Sequence, residues 1–337
     1  MRSPARAPSG RYGPVSRGAL TAELVPRSPF RLPSRRWPDG VARTRDGVYE
    51  RYLHVDGCPV LVRAWEVPRE RKVVIAAMPM PPGWIEDDSE RDCADAVVLE
   101  RAIDRARNAL GVDDDLSEFH ARFKRDPLLG PLISRRPHLR PRRAAHAWEA
   151  LAWAVTEQLI EAQRAHVIQR RIIGRWGTRA WLPHVNRPLR DVPGPEVIAG
   201  VAPAELAAMD LAPKRAIALI KVAREIAAGR CDPASPDGDR RLGSISNIGP
   251  WTLQCLGLNG RGELDSLPAG DLAYVKLVPR LTGMDRRATV EEVEEFYARF
   301  APYRGIAGLL TLSGLRTSIE GARPLRYYPA SPELEAA

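Results

Sequence analysis

The chain lacks any run of about 18 apolar residues, so the sequence predicts no membrane-spanning segment. Its first residues also lack the apolar core of a secretory signal. Cysteine is scarce, and the spacing of Cys58, Cys93, Cys231 and Cys255 fits neither a zinc site nor a four-cysteine iron–sulfur loop. These absences predict a protein of the reducing cytoplasm that carries no metal cluster.

Acidic residues are scarce at the start of the chain. Residues 1–46 hold ten arginines and three acids, a net charge of +7, while the whole 337-residue chain has a net charge of +9. The same residues include seven prolines and few large apolar residues. This composition predicts a disordered tail over 1–46. Two interpretations of this tail stay open. It is either an arm that holds DNA by releasing counterions, or a solvated extension or mis-assigned start.

After the tail, the sequence predicts a small mixed domain over residues 47–136. Partial alternation of apolar residues indicates strands at 49–55, 59–67 and 72–78, with Asp56 and Gly57 as a hairpin turn. Helical spacing indicates a helix over 91–110 that ends at Gly111. The acidic run 113–115 lacks the ligand spacing of a calcium loop and is interpreted as a helix cap with an acidic first turn.

From about residue 137 the pattern is helical with short connections. Prolines at 195, 203, 213 and 250 mark helix starts, and glycines at 177 and 229 mark helix ends. The predicted helices span 145–160, 162–176, 195–200, 203–209, 213–228, 250–258, 271–281, 289–299 and 303–316. We therefore expect an α+β protein, in which an all-helical, two-lobed core over 137–322 follows the small domain, with a C-terminal tail over 323–337.

The most informative stretch is Leu242–Thr252. An apolar helix stops there at an Asn-Ile-Gly turn, and a new helix opens at Pro250, where the missing N–H costs nothing. Bare amides at such a turn suit a phosphate oxygen and make no demand on base identity. Gly270 lies nineteen residues after Trp251 and is followed by Asp271, an acid that can act on what the turn binds.

The hairpin and the acid resemble the helix-hairpin-helix motif and catalytic aspartate of the helix-hairpin-helix DNA glycosylases, and within them the 3-methyladenine DNA glycosylase II (alkylbase) branch. Further stretches resemble the family in the family's order, over roughly residues 115–318. They are 148–160, similar to the first core helix with its glutamine; 211–216, similar to "G-x-x-x-x-K-A"; 267–272, around the aspartate; and 301–305, similar to "W-x-P-W/Y-R".

The resemblance implies a DNA repair enzyme that flips an alkylated purine such as 3-methyladenine out of duplex DNA and hydrolyses its N-glycosidic bond. Asp271 would be the catalytic carboxylate, since a fixed negative charge stabilises the positive sugar of the transition state. Taken alone, an Asp after Gly is more often a helix cap. Some relatives use a lysine at the position of Trp251 to cut the strand, so its replacement predicts a monofunctional enzyme. Lys276 is interpreted as a phosphate contact or a surface charge.

The resemblance also implies a base pocket around Trp251, with Trp153 and Tyr274 as further aromatic candidates. Core packing is the alternative for Trp153 and the preferred interpretation for Trp148. Cys255 and Leu312 stand where relatives carry aromatic side chains, so the range of substrates can differ.

Several residues are predicted to contact DNA. Asn247 replaces the glycine that usually opens the hairpin, and Asn tolerates the left-handed conformation. Gln158 matches the family's glutamine near the gap left by the extruded base, although it could merely cap its helix, and Leu159 is a candidate wedge. The other predicted contacts are Ile248, Gly249, Trp251, Thr252, Lys214 and Arg215.

We expect no required cofactor, and the resemblance implies only a monovalent cation (Na or K) on the carbonyls of Ser244, Ile245 or Ile248. The expected partner is damaged double-stranded DNA, and the expected form is a cytoplasmic, nucleoid-associated monomer. Two other functions stay open: a non-catalytic DNA- or lesion-binding protein, and a glycosylase for oxidised or deaminated bases.

Overall fold

A computed structural model describes residues 18–33, 37–85, 95–182 and 187–315. Its sheet has five antiparallel strands in the order β1-β5-β4-β3-β2, and α1 (Ala96–Leu110) packs on one face. The strands are β1 (Leu20–Leu24), β2 (Ala42–Arg45), β3 (Val48–Val55), β4 (Cys58–Val67) and β5 (Lys72–Pro79). Within the described ranges, every helix is too short or too polar to cross a membrane.

The hairpin of β3 and β4 turns at Asp56 and Gly57, whose φ angles of 53° and 80° are the positive values that a tight two-residue turn requires. Alternation then sends Leu53 to the face covered by α1 and Tyr52 to the opposite face, so the sheet is buried on both sides. Cys58 opens β4 and is disulfide-bonded, which the scattered cysteines did not predict.

The other helices form two lobes, each with its own apolar core. The first lobe contains α4 (Ala147–Glu157), α5 (Ala162–Trp176), α6 (Pro195–Ala199), α7 (Pro203–Ala208), α8 (Pro213–Ala227), α9 (Asp239–Gly243) and α10 (Pro250–Leu256), which continues as a π-helical turn at Gly257–Arg261. The second lobe contains α2 (Ser117–Phe123), α3 (Leu129–Arg135), α11 (Leu272–Thr282), α12 (Val290–Ala298) and α13 (Arg304–Leu315). The short strands β6 (Arg179–Ala180) and β7 (Leu189–Arg190) pair with each other beside the sheet. The predicted α+β class is confirmed.

The structure differs from the predicted division of the chain in two places. Strands β1 and β2 and the buried Trp37 lie within the supposed disordered tail, because composition averaged over 46 residues concealed two short strands. Helices α2 and α3, assigned from sequence to the small domain, pack in the second lobe, where Leu132 lies against Gly314 of α13. Residues 1–17 and 34–36, the start of the predicted helix at 91–94 and the predicted tail 323–337 lie outside the described residues.

A buried ion cluster joins the sheet to the first lobe. Arg51 on β3 donates to both carboxylate oxygens of Glu149 on α4, at 3.1 and 2.8 Å, and to Asp191 at 3.4 Å. These three residues are at most 2% exposed. Glu149 also accepts the Ala145 amide at 3.1 Å, and Asp191 accepts the His54 amide at 2.7 Å. Because both carboxylates are paired with the Arg51 guanidinium, the cluster fixes where α4 lies relative to the sheet.

Replacing Glu149 with Ala should lower the free energy of unfolding by about 3 kcal/mol or more, because the Arg51 charge would lose its main partner without gaining water. Urea unfolding followed by circular dichroism measures the loss. Arg286→Gln is the control, since the Arg286 side chain of the Arg286–Glu292 pair is 59% exposed and such pairs contribute little. A Glu149 variant as stable as this control would contradict the assigned role.

Candidate active site

The turn between α9 and α10 presents open backbone amides. Asn247 has a φ of 70°, so the predicted left-handed conformation is confirmed. Gly249 is the extended N-cap of α10, and its carbonyl accepts the amides of Thr252 and Leu253. Among the described residues, no acceptor faces the amides of Gly249 and Trp251. Free N–H groups at a helix start can donate hydrogen bonds to an anion.

Two side chains of this hairpin are buried within the protein. Ile248 is 4% exposed and belongs to the core of the first lobe, and Thr252 is 2% exposed. Gln158, predicted to reach a gap in DNA, instead donates to the Asn247 carbonyl at 2.7 Å and to the Thr252 hydroxyl at 2.9 Å. Gln158 therefore ties the end of α4 to the hairpin, and Ile248 and Thr252 can offer only backbone atoms to a ligand.

Leu159 follows in an unusual conformation. It has a φ of 56° and its side chain is fully exposed, at 104% of the reference area. A left-handed leucine costs roughly 1–2 kcal/mol, and an exposed one gains no burial in return. The predicted helix 145–160 therefore ends at Glu157. Arg215 donates to the Thr156 carbonyl at 2.8 Å and so stabilises this helix end, whereas Lys214 and Lys276 are exposed.

Asp271 is the N-cap of α11. One carboxylate oxygen, Oδ1, accepts the Ala273 amide at 2.8 Å, which fixes the side chain. The other oxygen, Oδ2, has no hydrogen-bond partner among the described residues. Trp251 lies close by, because a Cβ added to Gly270 would be 3.9 Å from the Cβ and Cδ1 atoms of Trp251. The hairpin of the first lobe and the acid of the second lobe therefore meet.

The start of α13 holds the loop that leads to Asp271. The Arg304 amide and Nε atom each donate to Asp265 at 2.9 Å, and the Ile306 amide donates to the Leu264 carbonyl at 3.0 Å. Gly305 leaves no room for a side chain, since a Cβ there would lie 2.4 Å from the Ser266 carbonyl oxygen. The residues at the start of α13 thus hold the loop that positions Asp271.

A cavity of about 550 Å³ lies between α4 and the loop segments 31–39 and 138–144. Its wall includes Trp37, Trp153, Asp39, Glu157 and Cys255. The Trp153 Nε1 atom donates to Asp39 at 3.0 Å. Burial, followed by the Glu149 charge, raises the pKa of Asp39 to about 6. Burial raises the pKa of Cys255 well above its ordinary value, and the charges of Glu157 and then Asp271 act in the same direction. The wall therefore combines aromatic faces with acids that ionise reluctantly.

The structure separates the residues predicted for the base pocket. Trp153 and Cys255 line the cavity, whereas Trp251 stands beside Gly270 and does not. Tyr274 does not line this cavity: it is 3% exposed and packs edge-on against Tyr297, because its position on α11 points into the second lobe. Leu312 also packs in that lobe, and Leu309, one turn earlier, lines the cavity instead. Trp148 is a core residue, which was the preferred interpretation of its sequence position, and it donates a hydrogen bond to the Pro193 carbonyl.

Sequence reasoning missed Trp37, Asp39 and Glu157. Trp37 and Asp39 fell within the supposed tail, although a Trp-Pro-Asp-Gly turn is a local signal of order. Glu157 could have been found by helical spacing, since Glu149, Trp153 and Glu157 recur every four residues along one face of α4.

Three comparisons with known proteins bear on the family. The chain is 25% identical over 202 residues to the DNA-3-methyladenine glycosylase of Bacillus subtilis, covering 58% of this chain and 66% of the relative. It is 24% identical over 318 residues to the probable bifunctional transcriptional activator/DNA repair enzyme AlkA of Mycobacterium tuberculosis. This match covers 91% of this chain and 55% of the relative. The structure of a 3-methyladenine DNA glycosylase from Archaeoglobus fulgidus matches with a TM-score of 0.70 at 20% identity. This match covers 90% of this chain and 100% of that structure. These similarities support the helix-hairpin-helix DNA glycosylase superfamily and, within it, the alkylbase branch.

This assignment to the glycosylase superfamily rests on the sequence relatives, while the structural likeness concerns the fold alone. No family model matches the chain. The chain spans about two thirds of the length of the Bacillus subtilis relative and about half of the length of the Mycobacterium tuberculosis relative.

The hairpin conformation predicts how substitutions at Asn247 behave. Asn247→Gly should leave the free energy of unfolding unchanged or slightly higher, because glycine adopts a φ of 70° without strain. Asn247→Val should lower it by about 1–2 kcal/mol, because a β-branched residue is strained there. Urea unfolding of both variants beside the wild type gives the comparison. Equal stability of the Val and Gly variants would show that the turn relaxes to another conformation.

Proposed function

We propose that this protein is a monofunctional DNA glycosylase that hydrolyses the N-glycosidic bond of an alkylated purine in duplex DNA. The observation that carries the proposal is the placement of Asp271, with one carboxylate oxygen held as a helix cap and the other open, beside a hairpin with two free amides. The names of the sequence relatives support the alkylbase substrate. We further propose that the protein acts as a monomer on DNA of the nucleoid.

The arrangement suggests how the residues divide the reaction. A DNA phosphate accepts hydrogen bonds from the amides of Gly249 and Trp251, which holds the backbone without reading sequence. Asp271 Oδ2 faces the sugar, stabilises the positive charge that develops there and orients the attacking water. The position two residues after Gly249 is Trp251, so no amine is available there for a Schiff base. Water is then the nucleophile, and the product is an abasic site in an uncut strand.

Leu159 is proposed as the wedge that occupies the gap left by the extruded base. Its full exposure and left-handed backbone support this role. A strained residue that gains no burial within the protein is expected to contact a ligand. Gln158 holds the wedge in register with the hairpin through its two hydrogen bonds. Trp251 and the cavity residue Trp153 offer aromatic faces to an electron-poor alkylated purine.

A monovalent cation at the hairpin is part of the same proposal. The carbonyls of Ser244 and Ile248 accept no hydrogen bond from the described residues, and the Ile245 carbonyl accepts only the Ile248 amide. Such oxygens fit Na or K, which would add positive charge beside the bound phosphate.

Asp271→Asn tests the mechanism. Single-turnover release of 3-methyladenine and 7-methylguanine from methylated duplex DNA should fall by about 10²-fold or more, because a preorganised charge is lost. DNA affinity should hold or rise, since one negative group has gone. Wild-type products should show strand breaks only after alkali. Asp285→Asn, on an exposed loop, is the matched control.

Other results of this experiment favour other functions. Undiminished release by Asp271→Asn would overturn the mechanism. Tight DNA binding without release of either base would favour a non-catalytic binding protein or a glycosylase for oxidised or deaminated bases. Strand breaks without alkali would exclude a monofunctional enzyme.

Leu159→Gly should separate stability from activity. The variant should be at least as stable as the wild type, because glycine relieves the left-handed strain. Its single-turnover base release should fall about tenfold or more, since holding open an unstacked step is worth a few kcal/mol. Urea unfolding and 7-methylguanine release measure the two effects. Full activity in this variant would remove Leu159 from the mechanism.

A further inference from the structure

Glu157 ends α4 and lines the cavity beside Trp153 and Cys255. Its Oε1 atom accepts a hydrogen bond from Gln169 Nε2 at 3.0 Å. Gln169 is 1% exposed, and the same nitrogen donates to the Thr156 hydroxyl at 3.0 Å, so its orientation is fixed. In the described part of the chain, Glu157 Oε2 has no hydrogen-bond partner. One oxygen of the carboxyl is therefore anchored and the other is left for a ligand.

The charged groups around Glu157 come from several elements. Desolvation at the cavity wall, together with the Asp39 and Asp271 charges, raises the pKa of Glu157 to about 7, although the Gln169 hydrogen bond and the Arg142 charge act in the opposite direction. His166 of α5 and the Cys255 thiol of α10 also line the cavity. A substantial fraction of Glu157 side chains therefore carries a proton at neutral pH, which an exposed glutamate would not.

We propose that Glu157 is a second catalytic carboxyl, which in its protonated form donates a hydrogen bond to a ring nitrogen of the extruded base and transfers its proton as the base leaves. This inference rests on the proposed glycosylase function and deepens it. The two acids then have different tasks. Asp271 acts as a carboxylate on the sugar, and Glu157 acts as an acid on the base.

The proposed step balances as follows. The Glu157 O–H bond breaks and its proton joins a ring nitrogen of the base, while the C1′–N9 bond breaks and its electron pair stays on the base. The base leaves as a neutral molecule. Water adds to C1′ and releases its proton to Asp271 and then to solvent, and solvent returns a proton to Glu157.

The consequence concerns the range of bases. An alkylated purine such as 7-methylguanine is already cationic in DNA and leaves as a neutral molecule without help. An uncharged base such as hypoxanthine would leave as an anion unless a proton reaches it. Glu157 thus equips the site for uncharged damaged bases as well as for cationic ones.

The test is single-turnover release of hypoxanthine and of 7-methylguanine from duplex DNA between pH 5.5 and 8.5. It compares the wild type with Glu157→Gln, Asp271→Asn and the control Glu161→Gln, which changes an exposed acid four residues away. Wild-type hypoxanthine release should fall as pH rises through about 7, because the proton-bearing form is lost. Glu157→Gln should lose about 10²-fold on hypoxanthine together with this pH dependence, and far less on 7-methylguanine.

A stability measurement separates catalysis from folding. The folded-state pKa of Glu157 lies above its ordinary value, so ionisation opposes folding, and wild-type stability should fall as pH rises between about 4.5 and 7. Glu157→Gln removes this penalty and should be at least as stable as the wild type at pH 8.

Each other outcome overturns the proposal. Equal losses on both bases in Glu157→Gln would reduce the residue to a structural role. Wild-type release of 7-methylguanine without any hypoxanthine at pH 6 would leave the glycosylase function standing and remove the acid role. Release of neither base, or release independent of Asp271, would overturn the proposed function and with it this inference.

Discussion

The buried pairing of Arg51 with Glu149 and Asp191 is the constraint from which the arrangement of the site follows. A guanidinium without access to water must keep both carboxylates, so the sheet, α4 and the segment before α6 cannot move independently. With its first turn fixed by Glu149, α4 presents Trp153 one turn later and Glu157 two turns later to the same cavity. The small sheet domain thus contributes a wall of the site through Trp37 and Asp39, in addition to its own stability.

The end of α4 assigns three consecutive residues to three different surroundings. Glu157 faces the cavity, Gln158 bonds to the hairpin and Leu159 projects into solvent. The helix ends at Glu157, and the non-helical Gln158 followed by the left-handed Leu159 turns the chain away from the axis of α4. The strain is stored where the proposed DNA contact lies, while Arg215 and Gln169 stabilise the preceding turn.

On the second lobe, Asp271 is held in place by a different set of contacts. Asp271 depends on the cap hydrogen bond to Ala273 and on the loop that Arg304 and Gly305 hold in place. It reaches the cavity acids through its charge, which raises the pKa of both Glu157 and Cys255. The two acids, one on each lobe, therefore have unequal environments: Asp271 is held as a helix cap, whereas burial at the cavity wall raises the pKa of Glu157 to about 7.

The sequence by itself determined the features that local chemistry controls. These are the helix limits marked by proline and glycine, the left-handed Asn247, the cap position of Asp271 and the α+β class. Tertiary structure alone decided which side chains share a surface. Tyr274 and Leu312 went into the second lobe, Gln158 turned to the hairpin, and Trp37 and Asp39 joined a cavity wall from a segment that composition had assigned to a disordered tail. The physical reason is that capping and turn preferences act over a few neighbouring residues, whereas burial and pairing depend on segments that are distant in sequence and meet only in the packed fold.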